Sequence, residues 1–488
     1  MPVAQGSCPG CGAPIEFGVG SSLAKVCDYC RATVVRTDRG LENLGKVAAI
    51  AQTPSLIAIG DQGTLGGRPF MVMGRVQLDT GKGPWDEYYV SFDYGQGWGW
   101  LAYAQGNWYV TVGLPGVGIP PYSALRLELD VVLGPTTYRV VEIRSGAIVS
   151  AEGELPAAFP PGFVRYYADC LGPGNAFATL DYGDNRGRYE VFVGYVFDEP
   201  QLQVTQAGPR TIAKVKTQSI KCPNCGGDVP KLSGDRAQRL GCPFCGAVSD
   251  IATQQVVAQQ EAAMRMPDIP IGSRGTFNQA EYLAIAYLRR SSNYEGERYT
   301  WEEYLIFNQA QGYRWLVKDP ETGWSWITPA NPAEIDLRGL PDQIGWGGRA
   351  FALRNQNQAR VDYVLGEVYW QCEVGETVSV RDYVNGNEVL SREETESEVY
   401  YSYGAPIDWA VIAQAFGLPV EGPGQAAPAA AGKRSGCGTV VVVLIVIVVV
   451  LLLCALMSSD SCGSGGGGSG VVVVGGTSRG TGTYSGGK

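Results

Sequence analysis

The 488-residue chain contains no histidine. That absence removes Ser-His-Asp and Cys-His nucleophile machinery, a histidine general base, and every histidine-ligated zinc, haem or iron centre. Charge is also sparse. Asp, Glu, Lys and Arg make up 18% of the residues, below the roughly 25% of ordinary domains. Acids outnumber bases 48 to 38, for a formal net charge of −10. This balance argues against a broad nucleic-acid surface, which needs clustered positive charge. The opening MPVAQGSCPG lacks a basic-then-apolar leader, so no secretory signal is expected. Glycine, by contrast, is abundant: its 67 residues are about double the usual share of roughly 7%, which points to many turns and low-complexity stretches.

Eight of the 13 cysteines form four Cys-x-x-Cys knuckles: Cys8/Cys11, Cys27/Cys30, Cys222/Cys225 and Cys242/Cys245. The first two knuckles are separated by 15 residues and the second two by 16, the four-cysteine zinc-ribbon spacing, here present twice. Two intervening residues let a tight turn aim both thiolates at one metal, and two such turns complete a tetrahedral shell. Three knuckles read Cys-Pro-x-Cys-Gly, whereas Cys27-Asp-Tyr-Cys30-Arg31 lacks both the proline and the glycine and should be the least regular. With all four ligands supplied at each site, the expected cofactor is two structural Zn²⁺ ions. Cys170, Cys372, Cys437, Cys454 and Cys462 show no pairing pattern.

Thr439 to Met457 is an uncharged run of 19 residues, TVVVVLIVIVVVLLLCALM. A helix of that length spans close to the ~30 Å hydrocarbon core of a bilayer, so a single transmembrane helix is expected over 439–457. Lys433 and Arg434 precede it and Asp460 follows, which places the amino-terminal side in the cytoplasm at the inner membrane. A reducing compartment agrees with thiols kept for metal.

Aligning the ribbons exposes a longer repeat. Cys8 and Cys222 are offset by 214, Trp85-Asp86-Glu87-Tyr88-Tyr89 and Trp301-Glu302-Glu303-Tyr304-Leu305 by 216, and Trp100-Leu101 and Trp315-Leu316 by 215. Gly153-Glu154 aligns with Gly366-Glu367, Asp169 with Asp382, and Glu190-Val191-Phe192 with Glu398-Val399-Tyr400. The unit of ribbon plus β domain therefore occurs twice. Phe70–Val76, Glu87–Phe92, Asn107–Val112, Arg126–Val132 and Tyr138–Val149 read as strands, as do Tyr282–Arg289, Tyr299–Phe307, Arg360–Tyr369 and Val378–Tyr383. Helices are expected only over Glu42–Gln52, Asp250–Arg265 and Trp409–Phe416, the last capped by Asp408.

The expected fold is mainly β: two zinc ribbons (1–40 and 215–250), each followed by an antiparallel β domain (55–200 and 268–418) built as a sandwich or partly open barrel. A flexible linker (420–438), the transmembrane helix (439–457) and a disordered Gly/Ser tail (458–488) complete the chain.

Outside the ribbons the most specific motif is Trp-x-Glu-Tyr. On a strand, Trp85, Glu87 and Tyr89 share one face, as do Trp301, Glu303 and Leu305. Glu87 or Glu303 held between apolar side chains could act as an acid or base, or could be a structural carboxylate accepting tryptophan N–H bonds. Trp100/Trp108 and Trp315/Trp324 could line a cleft or pack as core.

Ile59-Gly60-Asp61-Gln62-Gly63, Trp85-Asp86-Glu87-Tyr88-Tyr89 and Gly99-Trp100-Leu101 resemble the bacterial domain of unknown function 4178 family. Ile271-Gly272-Ser273-Arg274-Gly275, Trp301–Leu305, Trp315-Leu316, Gly366-Glu367, Asp382-Tyr383 and Leu390-Ser391-Arg392-Glu393 in the second copy resemble it too. The first copy departs late, with Leu180-Asp181-Tyr182-Gly183 where the second has Leu390-Ser391-Arg392-Glu393. The resemblance implies a bacterial, often membrane-tethered protein, and carries over no catalytic residue.

The functional expectation is a membrane-anchored, cytosol-facing interaction or scaffold protein without catalysis, whose partners are other proteins at the membrane. One alternative is a nucleic-acid-binding ribbon protein, although Lys25, Arg31, Lys221, Lys231, Arg236 and Arg239 are offset by Asp28, Asp228 and Asp235. The other is a carboxylate-dependent enzyme using Glu87 or Glu303.

Overall fold

Alternation of aromatic and β-branched residues with polar ones gives long strands, and in each copy these strands close on themselves. The computed structural model describes residues 4–420 apart from 18–23, 38–39, 47–55, 81–83, 105–106, 206–218, 233–236, 261–266, 295–296 and positions 158, 161, 231, 252, 310 and 371. The expected linker from 421 on, the apolar run 439–457 and the tail 458–488 lie outside the described residues. Among the described residues no helix is long and apolar enough to cross a membrane.

In the first copy β1 (Arg68–Asp79) pairs β2 (Pro84–Phe92), which pairs β3 (Gly97–Ala104), which pairs β4 (Asn107–Gly113). A second meander runs through β5 (Thr136–Leu155), β6 (Val164–Leu171), β7 (Ala176–Asp181) and β8 (Glu190–Phe197). Pairing of β4 with β8 and of β5 with β1 joins the two meanders. The result is a closed antiparallel barrel of eight strands.

The second copy repeats this with β9 (Ala280–Tyr294), β10 (Glu297–Asn308), β11 (Gly312–Asp319), β12 (Gly323–Pro329), β13 (Arg349–Val368), β14 (Thr377–Asn385), β15 (Glu388–Glu394) and β16 (Val399–Pro406). Its closing pairs are β12 with β16 and β13 with β9. The expectation of a sandwich or partly open barrel is corrected by these two closing pairs in each copy. Closure satisfies the edge strands that an open sheet would leave unpaired.

The period of two then sorts each strand into an inner and an outer face. Tyr88, Val90 and Phe92 pack outside with Phe70, Leu101, Trp108 and Phe197. Trp85, Glu87 and Tyr89 point inward, where Arg165 reaches Glu87 from the non-adjacent strand β6.

Each ribbon is bonded to the longest strand of its barrel. The strand Ala24–Val26, just before Cys27, pairs with Glu154 and Leu155 at the end of β5. Arg239–Gly241, just before Cys242, pairs with Gly366–Val368 at the end of β13. A left-handed glycine marks each junction, Gly153 just before the first at φ +73° and Gly366 at the first pair of the second at φ +83°. A Cβ on Gly366 would lie 2.3 Å from the Ile285 carbonyl oxygen, and one on Gly153 would lie 2.4 Å from that of Met73. Only glycine permits both this backbone conformation and this approach.

Two expected helices are strands. Gly40–Lys46 pairs with Ala32–Thr37, and Val256–Gln259 pairs with Ala247–Asp250. In both places a ribbon hairpin offers a free ladder, and sheet pairing overrides the local helix preference. The expected strand Arg126–Val132 is ordered as strand only over Asp130–Leu133. Trp409–Phe416 is a helix, α1, ending at left-handed Gly417. Asp408 occupies its N-cap position without a side-chain capping bond.

The two copies pack against one another. Leu127 and Val141 of the first enter a core of the second formed by Ile335, Phe351, Tyr383 and Tyr401. Arg392 bonds Glu128 through Nε and Nη2 at 2.8 and 2.9 Å. Arg139 donates to the carbonyls of Pro332 and Ile335 at 2.8 and 2.6 Å. Asn331 donates to Gly172 and Gly174.

Candidate metal centres and barrel lumens

The eight knuckle cysteines form two clusters, Cys8/Cys11/Cys27/Cys30 and Cys222/Cys225/Cys242/Cys245, with all four sulfurs of each within 4.8 Å of one another. Cys8–Cys30 and Cys11–Cys27 sulfurs are 3.6 and 3.8 Å apart, and Cys222–Cys245 and Cys225–Cys242 are 3.7 and 3.8 Å apart. Tetrahedral coordination with bonds near 2.3 Å sets sulfurs about 3.8 Å apart, so the spacing fits one such ion per cluster and is far too long for a disulfide. The knuckle turns close through Gly12 N–H to Cys8 O and Gly226 N–H to Cys222 O, at left-handed glycines. Arg31 takes that left-handed place in the irregular knuckle, at φ +58°. The backbone N–H of Ala32 helps draw the Cys30 thiol down to about 7. A bond from Asn224 helps draw that of Cys245 down to about 6. One thiol in each cluster therefore ionises first, while Cys8, Cys11, Cys225 and Cys242 are pushed up by burial and by their neighbouring thiols.

Of the remaining cysteines, Cys170 and Cys372 are buried and form no disulfide among the described residues, and Cys437, Cys454 and Cys462 lie outside the described residues.

The second feature is a charged barrel interior. In the first copy, Arg165 donates to Glu87 at 2.8 Å and to Asp181 at 2.7 Å. In the second, Arg290 bonds Glu393 at 2.9 Å and Glu303 at 3.3 Å, and Trp301 Nε1 donates to Glu303 at 2.7 Å. Burial pushes the Glu303 carboxyl up, with Arg290 opposing and the Glu393 charge adding. Glu87 and Glu303 are therefore ion-paired members of a lumen network.

Strand pairing shows that the two networks are equivalent. Asp169 pairs with Thr179 and Asp382 with Ser391, so Asp181 corresponds to Glu393. The sequence alignment of Leu180–Gly183 with Leu390–Glu393 is thus two residues out, as is that of Glu190 with Glu398; Glu190 corresponds to Tyr400. The arginine has moved: Arg165 stands on β6 where the second copy has Val378, and Arg290 stands on β9 where the first copy has Leu78. One guanidinium thus reaches the same carboxylate pair from different walls of the barrel. Sequence reasoning missed Arg165, Arg290, Asp181 and Glu393 because their meeting depends on closure.

The tryptophan pairs belong to the packing. Trp100 lies 5.2 Å from Tyr89, Trp108 packs on Tyr103 and Phe197, Trp315 meets Trp370, and Trp324 lies between Tyr304 and Trp409.

These features define a tandem of closed eight-stranded barrels, each carrying a four-cysteine ribbon. The chain belongs to the family described as Domain of unknown function (DUF4178), whose model matches residues 58–199 and 270–408, more than half of the chain. No curated protein and no solved structure matches it.

Proposed function

We propose that the protein is a zinc-braced tandem binding scaffold, held at the cytoplasmic face of the inner membrane by residues 439–457, that presents its two barrels to other proteins there. The observation that carries this reading is the continuous bonding from ribbon to barrel to barrel. Each ribbon strand extends the ladder of a barrel strand, and the Glu128–Arg392 pair with the Leu127/Val141 contact ties the barrels to each other. Two structural zinc ions would hold the knuckles against those ladders. The uncharged 19-residue run supports the anchor. Against an enzyme stands the pairing of both motif glutamates with arginine. Against a nucleic-acid surface stands the engagement of ribbon bases: Lys25 with the Glu16 carbonyl, Lys221 with Asp228, and buried Arg239 with Asp250.

The test is crosslinking and affinity capture from membranes with zinc quantified on the same full chain. Two zinc ions per chain, membrane retention that requires 439–457, and loss of captured partners when Cys222 and Cys225 become Ser are expected. Partner capture that survives ribbon unfolding would overturn the scaffold reading.

A further inference from the structure

The two four-cysteine clusters match in their ligands and in several backbone donors, but differ in the side chains around them. In the first, the N–H groups of Ala13 and Ala32 bond the sulfurs of Cys11 and Cys30. In the second, those of Gly227 and Ala247 do the same for Cys225 and Cys245. Burial of the four cysteines also runs in the same order in both clusters, so solvent access does not separate them. The second cluster adds a side-chain donor: Asn224 Nδ2 lies 3.4 Å from Cys245 Sγ. Asn224 is the third residue of its knuckle, Cys222-Pro223-Asn224-Cys225, where the first ribbon has Gly10, in Cys8-Pro9-Gly10-Cys11. A glycine has no side-chain donor to offer; the Gly10 N–H reaches Cys8 Sγ at 3.3 Å.

Asn224 is held in turn by a chain of amides that ends on the barrel. Gln259 Oε1 accepts from Asn224 Nδ2 at 3.5 Å, and Gln259 Nε2 donates to the Cys245 carbonyl. The next residue, Gln260, grips β13: its Oε1 accepts from the Val364 N–H at 3.0 Å and its Nε2 donates to the Val364 carbonyl. Val364 lies between the stretch of β13 paired with β14, which ends at Arg360, and the stretch paired with the ribbon, which begins at Gly366. The Gln260 amide bridges that gap as a strand would, satisfying a backbone donor and acceptor. In the first ribbon Lys46 pairs with Ala32 as Gln259 pairs with Ala247, and Val47 follows it. Neither residue carries an amide, so this chain belongs to the second ribbon alone.

We propose that the two ribbons hold zinc unequally: the second is a slow-exchanging brace and the first an exchangeable site, with Asn224 the positioning residue that sets the difference. This rests on the reading of both clusters as zinc sites. Four thiolates around a dication leave excess negative charge on the sulfurs. An N–H donor disperses that charge and keeps its sulfur aimed at the metal position. Loss of such outer bonds costs roughly 10–100-fold in metal affinity. The Gln259 and Gln260 amides fix Asn224 from behind, so the donor need not be ordered anew each time a ligand bond opens. The consequence is local control. Scarce zinc would free the strand Ala24–Val26 from Glu154 and Leu155 of the first barrel, while the second ribbon stays bonded to its own barrel.

The experiment follows zinc transfer from the zinc-loaded full chain to an excess of a chromogenic pyridylazo chelator, with total zinc measured by elemental mass spectrometry. Two ions per chain are expected, leaving in two phases of equal amplitude whose rates differ at least about ten-fold. Cys8→Ser with Cys11→Ser should remove the fast phase alone. Asn224→Gly should accelerate the slow phase about ten-fold and leave the fast phase unchanged. Asn224 is exposed, so its variants should fold. Asn224→Asp keeps the shape but replaces the donor by a carboxylate, and should accelerate the slow phase at least as much. Fewer than two zinc ions per chain would overturn the zinc reading and this proposal with it. Two ions leaving in a single phase, a slow phase that belongs to the first ribbon, or an unchanged slow phase in either Asn224 variant would overturn the inequality and leave the zinc reading standing.

Discussion

Glu128 of the first barrel unit and Arg392 of the second form a two-pronged ion pair, with N–O distances of 2.8 and 2.9 Å and side chains 14% and 4% exposed. The Tyr401 hydroxyl also donates to Glu128. Glu128 sits at φ +65°, a conformation that costs a non-glycine residue on the order of 1–3 kcal/mol. Its backbone N–H donates to the Val140 carbonyl at 2.7 Å within its own copy, and the Arg392 pair holds its side chain from the other.

Glu128→Ala should therefore destabilise the protein by about 2–4 kcal/mol, because Arg392 keeps Glu394 but loses its buried partner. Burial alone would raise the Glu128 carboxyl; the Arg392 and Tyr401 bonds outweigh it and hold it below its ordinary 4.5. A carboxylate with a depressed folded value stabilises fully above the unfolded value and loses that contribution as pH falls through the folded one. Thermal melts from pH 7 to pH 3 should show wild-type stability dropping below pH about 4.5, with a smaller drop in Glu128→Gln. Identical pH profiles would exclude the pair as a source of stability.

The displaced arginine offers a second test. Arg290→Leu leaves Glu303 and the half-buried Glu393 facing each other without a cation and should cost about 2–4 kcal/mol. Adding Val378→Arg rebuilds the arrangement of the first barrel, with the guanidinium on the other wall, and should recover at least half of the loss. Denaturant unfolding of the single and double variants measures this, and no recovery would mean that the two lumens are not interchangeable.

The ribbons should bind metal independently. Cys222→Ser with Cys225→Ser is expected to lower bound zinc from two ions per chain to one, read by elemental mass spectrometry, without disturbing Cys8, Cys11, Cys27 and Cys30. Hydrogen exchange at Leu240, whose strand pairs with Glu367, should accelerate in the same variant because metal binding is coupled to local folding. Loss of both ions would show that the sites are linked.

Gly366→Ala places a methyl group 2.3 Å from the Ile285 oxygen at φ +83°. A loss of about 1–3 kcal/mol is expected, with exchange rising first in Arg239–Gly241. Gly386→Ala, also at positive φ but with open space around it, should cost less. Calorimetric melting of both variants separates steric contact from backbone strain.

The knuckles were legible in the chain itself because two-residue spacing and Pro/Gly turns act over a few residues, and sulfur positions follow from them. The repeat was legible for the same reason, through local motifs such as Trp85-Asp86-Glu87 and Trp301-Glu302-Glu303. Helix α1 was expected from Asp408 at its start, a position Asp408 does occupy, although its side chain makes no capping bond. The polar stretch at Glu42 misled because its ladder partner, Ala32–Thr37, decides its conformation. The late alignment slipped by two residues, a shift that keeps every side chain on its proper face and so leaves no mark in the alternation.

Absence of histidine, commitment of eight thiols and a period of two along the strands are properties of the chain alone, and they already specify thiol sites and β structure. Closure of each barrel, the meeting of Arg165 with Glu87 and of Arg290 with Glu393, and the pairing of Glu128 with Arg392 arise only in the folded molecule. The reason is that each is a contact between strands distant in sequence, selected by shear, burial and charge together, and no local pattern encodes which wall of a barrel will face which.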